Sequence, residues 1–193
     1  MSEREITSKT MSYLLRHKLS KFETNKNGYV SIDELIAKIG FIKKIGKPIT
    51  KEMIQEVVIN DVKSRYSTKS ISGVDCIRAN QGHSLTSGKL INPEELLDKV
   101  KIPISCFHGT YKKNKDSILK SGLNRMRRMH IHLAVPEGIS GMRQNCDLKI
   151  WIDMKKAMAD GIIFYKSANG VILTPGNDEG ILESKYFLSI ESI

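Results

Sequence analysis

With 193 residues, 40% of them hydrophobic, the chain is long enough to bury a core in one domain or in two small lobes. Lysine and arginine outnumber aspartate and glutamate by 31 to 21, and a pI near 9.5 points to a polyanionic partner such as nucleic acid. The excess is spread out, with 17 basic against 12 acidic residues in 1–100 and 14 against 9 in 101–193, and no apolar run reaches the roughly eighteen residues of a membrane span.

Helical patterns dominate before residue 100. Met11, Leu14, Leu15, Leu19 and Phe22 fall on one stripe, which predicts a helix from Met11 with Tyr13, Arg16 and His17 on the opposite face. Asn27-Gly28 marks a turn. Ser31 to Glu34 reads as a capping box that opens a helix ending at Gly40, and Thr50 caps a third helix with Met53, Ile54, Val57 and Val58 inward. Arg65-Tyr66 through Ala79 reads as two strands around Ser72-Gly73, and Asn92-Pro93-Glu94-Glu95 opens another short helix. Three helices followed by a hairpin suggest a winged helix.

Strand signals dominate beyond Lys101: Ile104 to His108, His130 to Val135, Leu148 to Ile152, and a hairpin turning at Asn169-Gly170 between Phe164 and Leu173. A helix fits Lys115 to Lys120 and ends at Gly122. The fold class read from these patterns is α+β, with lobes at 1–100 and 101–193 and a functional cleft expected between them.

Chemistry-bearing residues sit in short polar segments. Arg16-His17 pairs a two-pronged phosphate donor with a group that titrates near neutrality, although adjacent basic residues on a helix are more often a solvated pair. Arg65, with Lys63 nearby, stands at the hairpin entry. Arg78 and His83 bracket Asn80-Gln81-Gly82, whose amides suit tying down a loop and touching a substrate about equally. His108-Gly109-Thr110 follows a strand and offers donors beside a glycine that admits close approach. His130 and His132 share a strand face that could hold zinc, but further ligands are lacking, so no metal is expected. Arg125, Arg127 and Arg128 form a dense cluster of which one arginine should be held against the sheet. Cys76, Cys106 and Cys146 are few and scattered, as free thiols in a reducing compartment would be, and the polar, acidic start MSEREITSKT is unlike a signal peptide. An intracellular protein is expected, in the cytoplasm or nucleus.

Taken in order, LLRH, NDxxxRY, IRANQGHS, HGT, the segment Gly122-Leu123 with Met126 to Leu133, ISGMR and NGVILT resemble the RNA 2′-phosphotransferase family, which removes the splice-junction 2′-phosphate from tRNA. The resemblance covers nearly the whole chain, and SANGVILTPGN and KYF look like its eukaryotic branch. It implies an N-terminal winged-helix lobe, an ADP-ribosyltransferase-like C-terminal lobe with a mostly antiparallel sheet, and NAD as co-substrate.

In the implied reaction the 2′-phosphate attacks the nicotinamide ribose and expels nicotinamide, giving an ADP-ribosylated phosphate. The ribose hydroxyl then attacks this phosphate, releasing 2′-OH RNA and ADP-ribose 1″,2″-cyclic phosphate. The family's catalytic set matches Arg16, His17, Arg65 and Arg128, with Arg127 as the alternative fourth member. The NAD residues implied are His108, Gly109, Thr110, Gly122, His132 and Arg143, and the RNA phosphate contacts are Lys63, Arg78 and His83. The expected partners are 2′-phosphorylated RNA and NAD, acted on by a monomer. Rival readings are a non-catalytic RNA-binding winged helix, an ADP-ribosyltransferase acting on terminal nucleic-acid phosphates or protein, and a histidine-dependent ribonuclease.

Overall fold

The first helix, α1 (Glu3–His17), starts well before the Met11 stripe because Ser2 and Glu5 form a reciprocal capping box. The Ser2 hydroxyl accepts the Glu5 N–H at 3.2 Å and the Glu5 carboxylate accepts the Ser2 N–H at 2.8 Å. The expected run to Phe22 is also shorter: α1 stops at His17, and a 3-10 turn over Leu19–Lys21 carries Leu19 into the core. The structure, a computed structural model, describes residues 1–138, 140–142 and 145–193. It divides into unit 1, Met1–Leu96, and unit 2, Leu97–Ile193, each of helices and antiparallel strands, so the α+β class holds.

In unit 1, β1 (Val30–Ser31) leads into α2 (Ile32–Ile39), where Ser31 caps the Glu34 N–H. The expected box is only half made, since the Glu34 carboxylate accepts from the Glu23 N–H at 3.2 and 3.3 Å instead. A small ribbon, β2 (Phe41–Ile42) with β3 (Lys47–Pro48), precedes α3 (Lys51–Ile59), which Thr50 caps. The hairpin β4 (Tyr66–Ile71) and β5 (Val74–Ala79) turns at Ser72-Gly73, both at positive φ as a two-residue turn requires. β1 pairs with the other edge of β5. The Tyr66 hydroxyl donates to Ser8 O at 2.7 Å and so ties β4 to α1. Short helices α4 (Leu85–Gly88) and α5 (Pro93–Leu96) follow. Met11, Leu15, Leu35, Ile54 and Ile77 are buried between these elements.

Unit 2 contains β6 (Asp98–Lys99), β7 (Phe107–Thr110), α6 (Lys115–Ser121), β8 (Leu123–Asn124), β9 (Ile131–Leu133) and β10 (Leu148–Ile152). Beyond these come α7 (Met154–Ala159), β11 (Tyr165–Lys166), β12 (Ile172–Thr174), β13 (Ile181–Leu182) and β14 (Phe187–Ser192). The sheets run β14-β10-β7 and β6-β11-β12-β9, with a separate β13-β8 pair. Phe107 and Ala134 exchange both backbone hydrogen bonds, at 2.9 and 2.8 Å, and stitch the two larger sheets together. Alternate residues of β10, Leu148, Ile150 and Ile152, point into a core shared with Leu133, Phe164 and Ile172. The three cysteines are free, and no helix among the described residues is long and apolar enough to cross a membrane.

Gly122 ends α6 at φ 77°, ψ −178°, a region open essentially to glycine alone, and a Cβ there would lie 2.6 Å from Leu182 O. Gly122→Ala should therefore destabilise the protein by about 2–4 kcal/mol. Thermal unfolding measures this, and a melting temperature within a degree of wild type would contradict it.

Candidate active site

In unit 1 one segment, residues 80–84, buried as far as His83, holds two of the arginines singled out from the sequence. The Asn80 side chain donates to Ser64 O at 2.8 Å and accepts from the Ser67 hydroxyl at 2.6 Å, and its N–H donates to Arg65 O at 2.8 Å. Two residues on, Gly82 lies under the Arg16 side chain, so close that a Cβ would meet the guanidinium carbon at 3.3 Å. The Ser84 N–H then donates to Arg16 O at 2.9 Å, a carbonyl in the last turn of α1 with no partner inside the helix. Asn80, Gln81 and His83 are all buried. Of the two uses the NQGHS amides allowed, the structure displays the anchoring one for Asn80.

Arg65 is gripped from a second side. The Asp61 carboxylate, 3% exposed, accepts both the Arg65 N–H and its Nη1, while about a third of the Arg65 side chain remains exposed at 35%. Ser64 takes a positive φ of 44° in this turn, and Asn80 holds its carbonyl. Lys63 is half-buried in the same turn. Arg78 is anchored to the 27–29 turn, donating to Asn27 O at 3.3 Å with its guanidinium 4.7 Å from the Tyr29 ring centre. His83, expected to meet RNA phosphate, is only 3% exposed and packs near Gly28, which places it inside the unit rather than on its surface. His17 is half-buried, its ring 6.0 Å from that of Tyr13.

In unit 2, His108 Nδ1 donates to His132 O at 2.9 Å, since a carbonyl can only accept. This bond places the neutral-form proton on Nδ1. Gly109 does admit a close approach, and the group that makes it is Met142: a Cβ would sit 2.4 Å from its Cγ and 3.2 Å from Cys146 Sγ. Thr110 is buried and accepts from Asn114 Nδ2 at 3.4 Å. Gly122, expected at the dinucleotide, is buried under Ile181, Leu182 and Glu183 and terminates α6. Arg143 lies outside the described residues.

The arginine cluster is divided by the fold. Arg125 lies flat on Gly180, its N–H donating to Gly180 O at 3.0 Å, whereas Arg127 and Arg128 are exposed in the following turn. His130 is buried, edge-on to Tyr165 at 5.7 Å, and burial together with the charge of Arg125 lowers its pKa to about 4. It is neutral at physiological pH. Among the described residues no group of three or more His, Cys, Asp or Glu side chains could hold a metal ion. Asp61 is the residue the sequence reading passed over, although its spacing of four from Arg65 could have flagged it.

Two outcomes are expected. Asp61→Ala should cost about 2 kcal/mol in urea unfolding, because the carboxylate serves the Arg65 backbone N–H as well as its guanidinium; a cost below about 0.5 kcal/mol would contradict this. For His130, with a pKa lowered from 6.5 to about 4, stability is full above pH 6.5 and falls as pH drops towards 4, by on the order of 3 kcal/mol. His130→Asn should flatten that part of the stability profile. Parallel profiles would assign the acid sensitivity elsewhere.

Comparison with known proteins adds a second line to this geometry. The family described as RNA 2′-phosphotransferase, Tpt1 / KptA family, matches residues 2–176. The chain is 44% identical over 189 residues to tRNA 2′-phosphotransferase 1 of Danio rerio, covering 93% of this chain and 82% of that one. It is 41% identical over 191 residues to tRNA 2′-phosphotransferase 1 of Homo sapiens, covering 93% and 72%. To a probable RNA 2′-phosphotransferase of Acaryochloris marina it is 33% identical over 189 residues, covering 95% and 96%. A match of this extent, over a chain whose LLRH, NDxxxRY and NQGHS segments meet in one place, shows that the chain belongs to the RNA 2′-phosphotransferase family.

Proposed function

We propose that this protein transfers the 2′-phosphate of RNA, tRNA being the expected substrate, to ADP-ribose derived from NAD. The products are RNA with a free 2′-hydroxyl, nicotinamide and ADP-ribose 1″,2″-cyclic phosphate. The observation that carries the reading is the shared support of Arg16 and Arg65 by residues 80–84, in a chain that belongs to this family. In this reading unit 1 is the winged-helix lobe, for which α1, α2, α3 and the β4–β5 hairpin supply the elements, and unit 2 is the ADP-ribosyltransferase-like lobe.

Arg16 and Arg65 bind the 2′-phosphate, a dianion near neutral pH, and their positions are held before substrate arrives. His17 assists the phosphate or moves a proton in the second step, and Arg128 stabilises charge on the phosphate in transit. Bound NAD supplies an electrophilic sugar carbon with nicotinamide as its leaving group. The residues of unit 2 fit such a ligand chemically: His108 is oriented by His132 O, and Thr110 and the exposed arginines offer hydrogen-bond donors without a metal. His108, Gly109, Thr110, His132 and Arg143 are proposed to hold NAD, and Lys63 and Arg78 to contact RNA phosphates.

The test is a 2′-phosphorylated oligonucleotide incubated with and without NAD. Dephosphorylation should require NAD and yield ADP-ribose cyclic phosphate, and Arg65→Ala should lower turnover by at least about a hundredfold while the protein stays folded. Phosphate release without NAD would make the protein a hydrolytic phosphatase. Product stalled as ADP-ribosylated RNA would make it a simple ADP-ribosyltransferase.

A further inference from the structure

Unit 1 contains a groove of about 400 Å³ between α1 and the β2–β3 ribbon that none of the roles above uses. One wall is the α1 face of Ile6, Thr10 and Tyr13, and the opposite wall carries Phe41 and Ile42. Steps of four and three along a helix return to the same side, so this face continues from Tyr13 directly to Arg16 and His17. The Tyr13 and His17 rings stand 6.0 Å apart, which joins the groove to the phosphate residues.

The chemistry of the groove is that of a single-strand binder. Tyr13 is 52% exposed and Phe41 57% exposed, leaving two aromatic faces open. Lys9, Lys43 and Lys44 line the same groove, no acidic side chain does, and Lys18 Nζ lies 5.8 Å from the Tyr13 ring centre. The nearby Glu3 is engaged by Lys47 in an ion pair that bridges α1 and β3. Aromatic faces flanked by uncompensated ammonium groups match bases and phosphates alternating along a nucleic-acid strand, since every base offers a π-face.

We propose that this groove binds the RNA chain adjoining the 2′-phosphate, a base stacking on Tyr13 or Phe41 and backbone phosphates meeting Lys9, Lys43 and Lys44. The inference rests on the assignment of Arg16 and His17 to the 2′-phosphate. That assignment sets where the strand enters.

Fluorescence anisotropy without NAD tests it, using a labelled RNA of about twelve nucleotides with an internal 2′-phosphate and a 2′-phosphorylated dinucleotide as competitor. Wild type should bind the longer RNA more tightly than the dinucleotide. Tyr13→Ala, and separately the double variant Lys43→Glu with Lys44→Glu, should weaken the longer RNA about tenfold and erase that advantage, and the lysine variant should lower the salt slope by about two. Unchanged affinity for the longer RNA in both variants overturns the proposal and leaves the groove to another partner. Equal weakening of the dinucleotide also overturns it, because the residues would then belong to the phosphate site itself. Wild-type binding without NAD-dependent turnover would sink the proposed function and spare the groove; turnover with variants of full RNA affinity would do the reverse.

Discussion

The support of Arg16 and Arg65 by a common buried segment is the constraint on which unit 1 is organised. An arginine side chain carries about 2 kcal/mol of rotamer entropy, so a guanidinium useful to a ligand has to be held by something more rigid than itself. Asn80 and Ser84 fix the backbone from which the two side chains start, gripping the turn before β4 and the last turn of α1, and Gly82 between them lies against the Arg16 guanidinium. The polar composition of NQGHS suggests a surface loop, yet Asn80, Gln81 and His83 are buried, and the Asn80 amide is spent on the Ser64 carbonyl. Asp61 adds a fixed negative charge beneath Arg65, so the second arginine is oriented by charge as well as by its chain.

Close approach does the corresponding work in unit 2. Gly109 leaves room for Met142, Gly122 for Leu182 O, and Gly180 for the Arg125 side chain. Each absent Cβ lets a segment distant in sequence pack directly on a strand or helix end. The last of these has an electrostatic effect, since Arg125 pressed against Gly180 lies close enough to His130 to help keep that buried ring neutral. One arginine of the cluster thus becomes part of the fabric, while Arg127 and Arg128 stay exposed.

Much of the fold was legible where a local rule decides it. The Ser72-Gly73 and Asn169-Gly170 turns, the Ser31 and Thr50 caps, the end of α6 at Gly122 and all of β10 follow from turn chemistry, capping and alternation. The start of α1 was not, because its first turns are polar and are stabilised by the Ser2–Glu5 box and by Tyr66, not by an apolar stripe. Two-residue strands such as β2, β3, β8 and β13 have no period to detect and exist only through their pairing.

Residue order alone specifies the elements with strong local signals, the supply of arginines and histidines, and a series of motifs distinctive enough to indicate the family. Those are one-dimensional properties. Which polar side chain supports which arginine is not, because Asn80 and Ser64, Gly82 and Arg16, or Arg125 and Gly180 meet only through long-range packing. Burial then decides the rest: it takes His83 and Gly122 off the surface, keeps His130 uncharged, and leaves Tyr13 and Phe41 facing out beside their lysines.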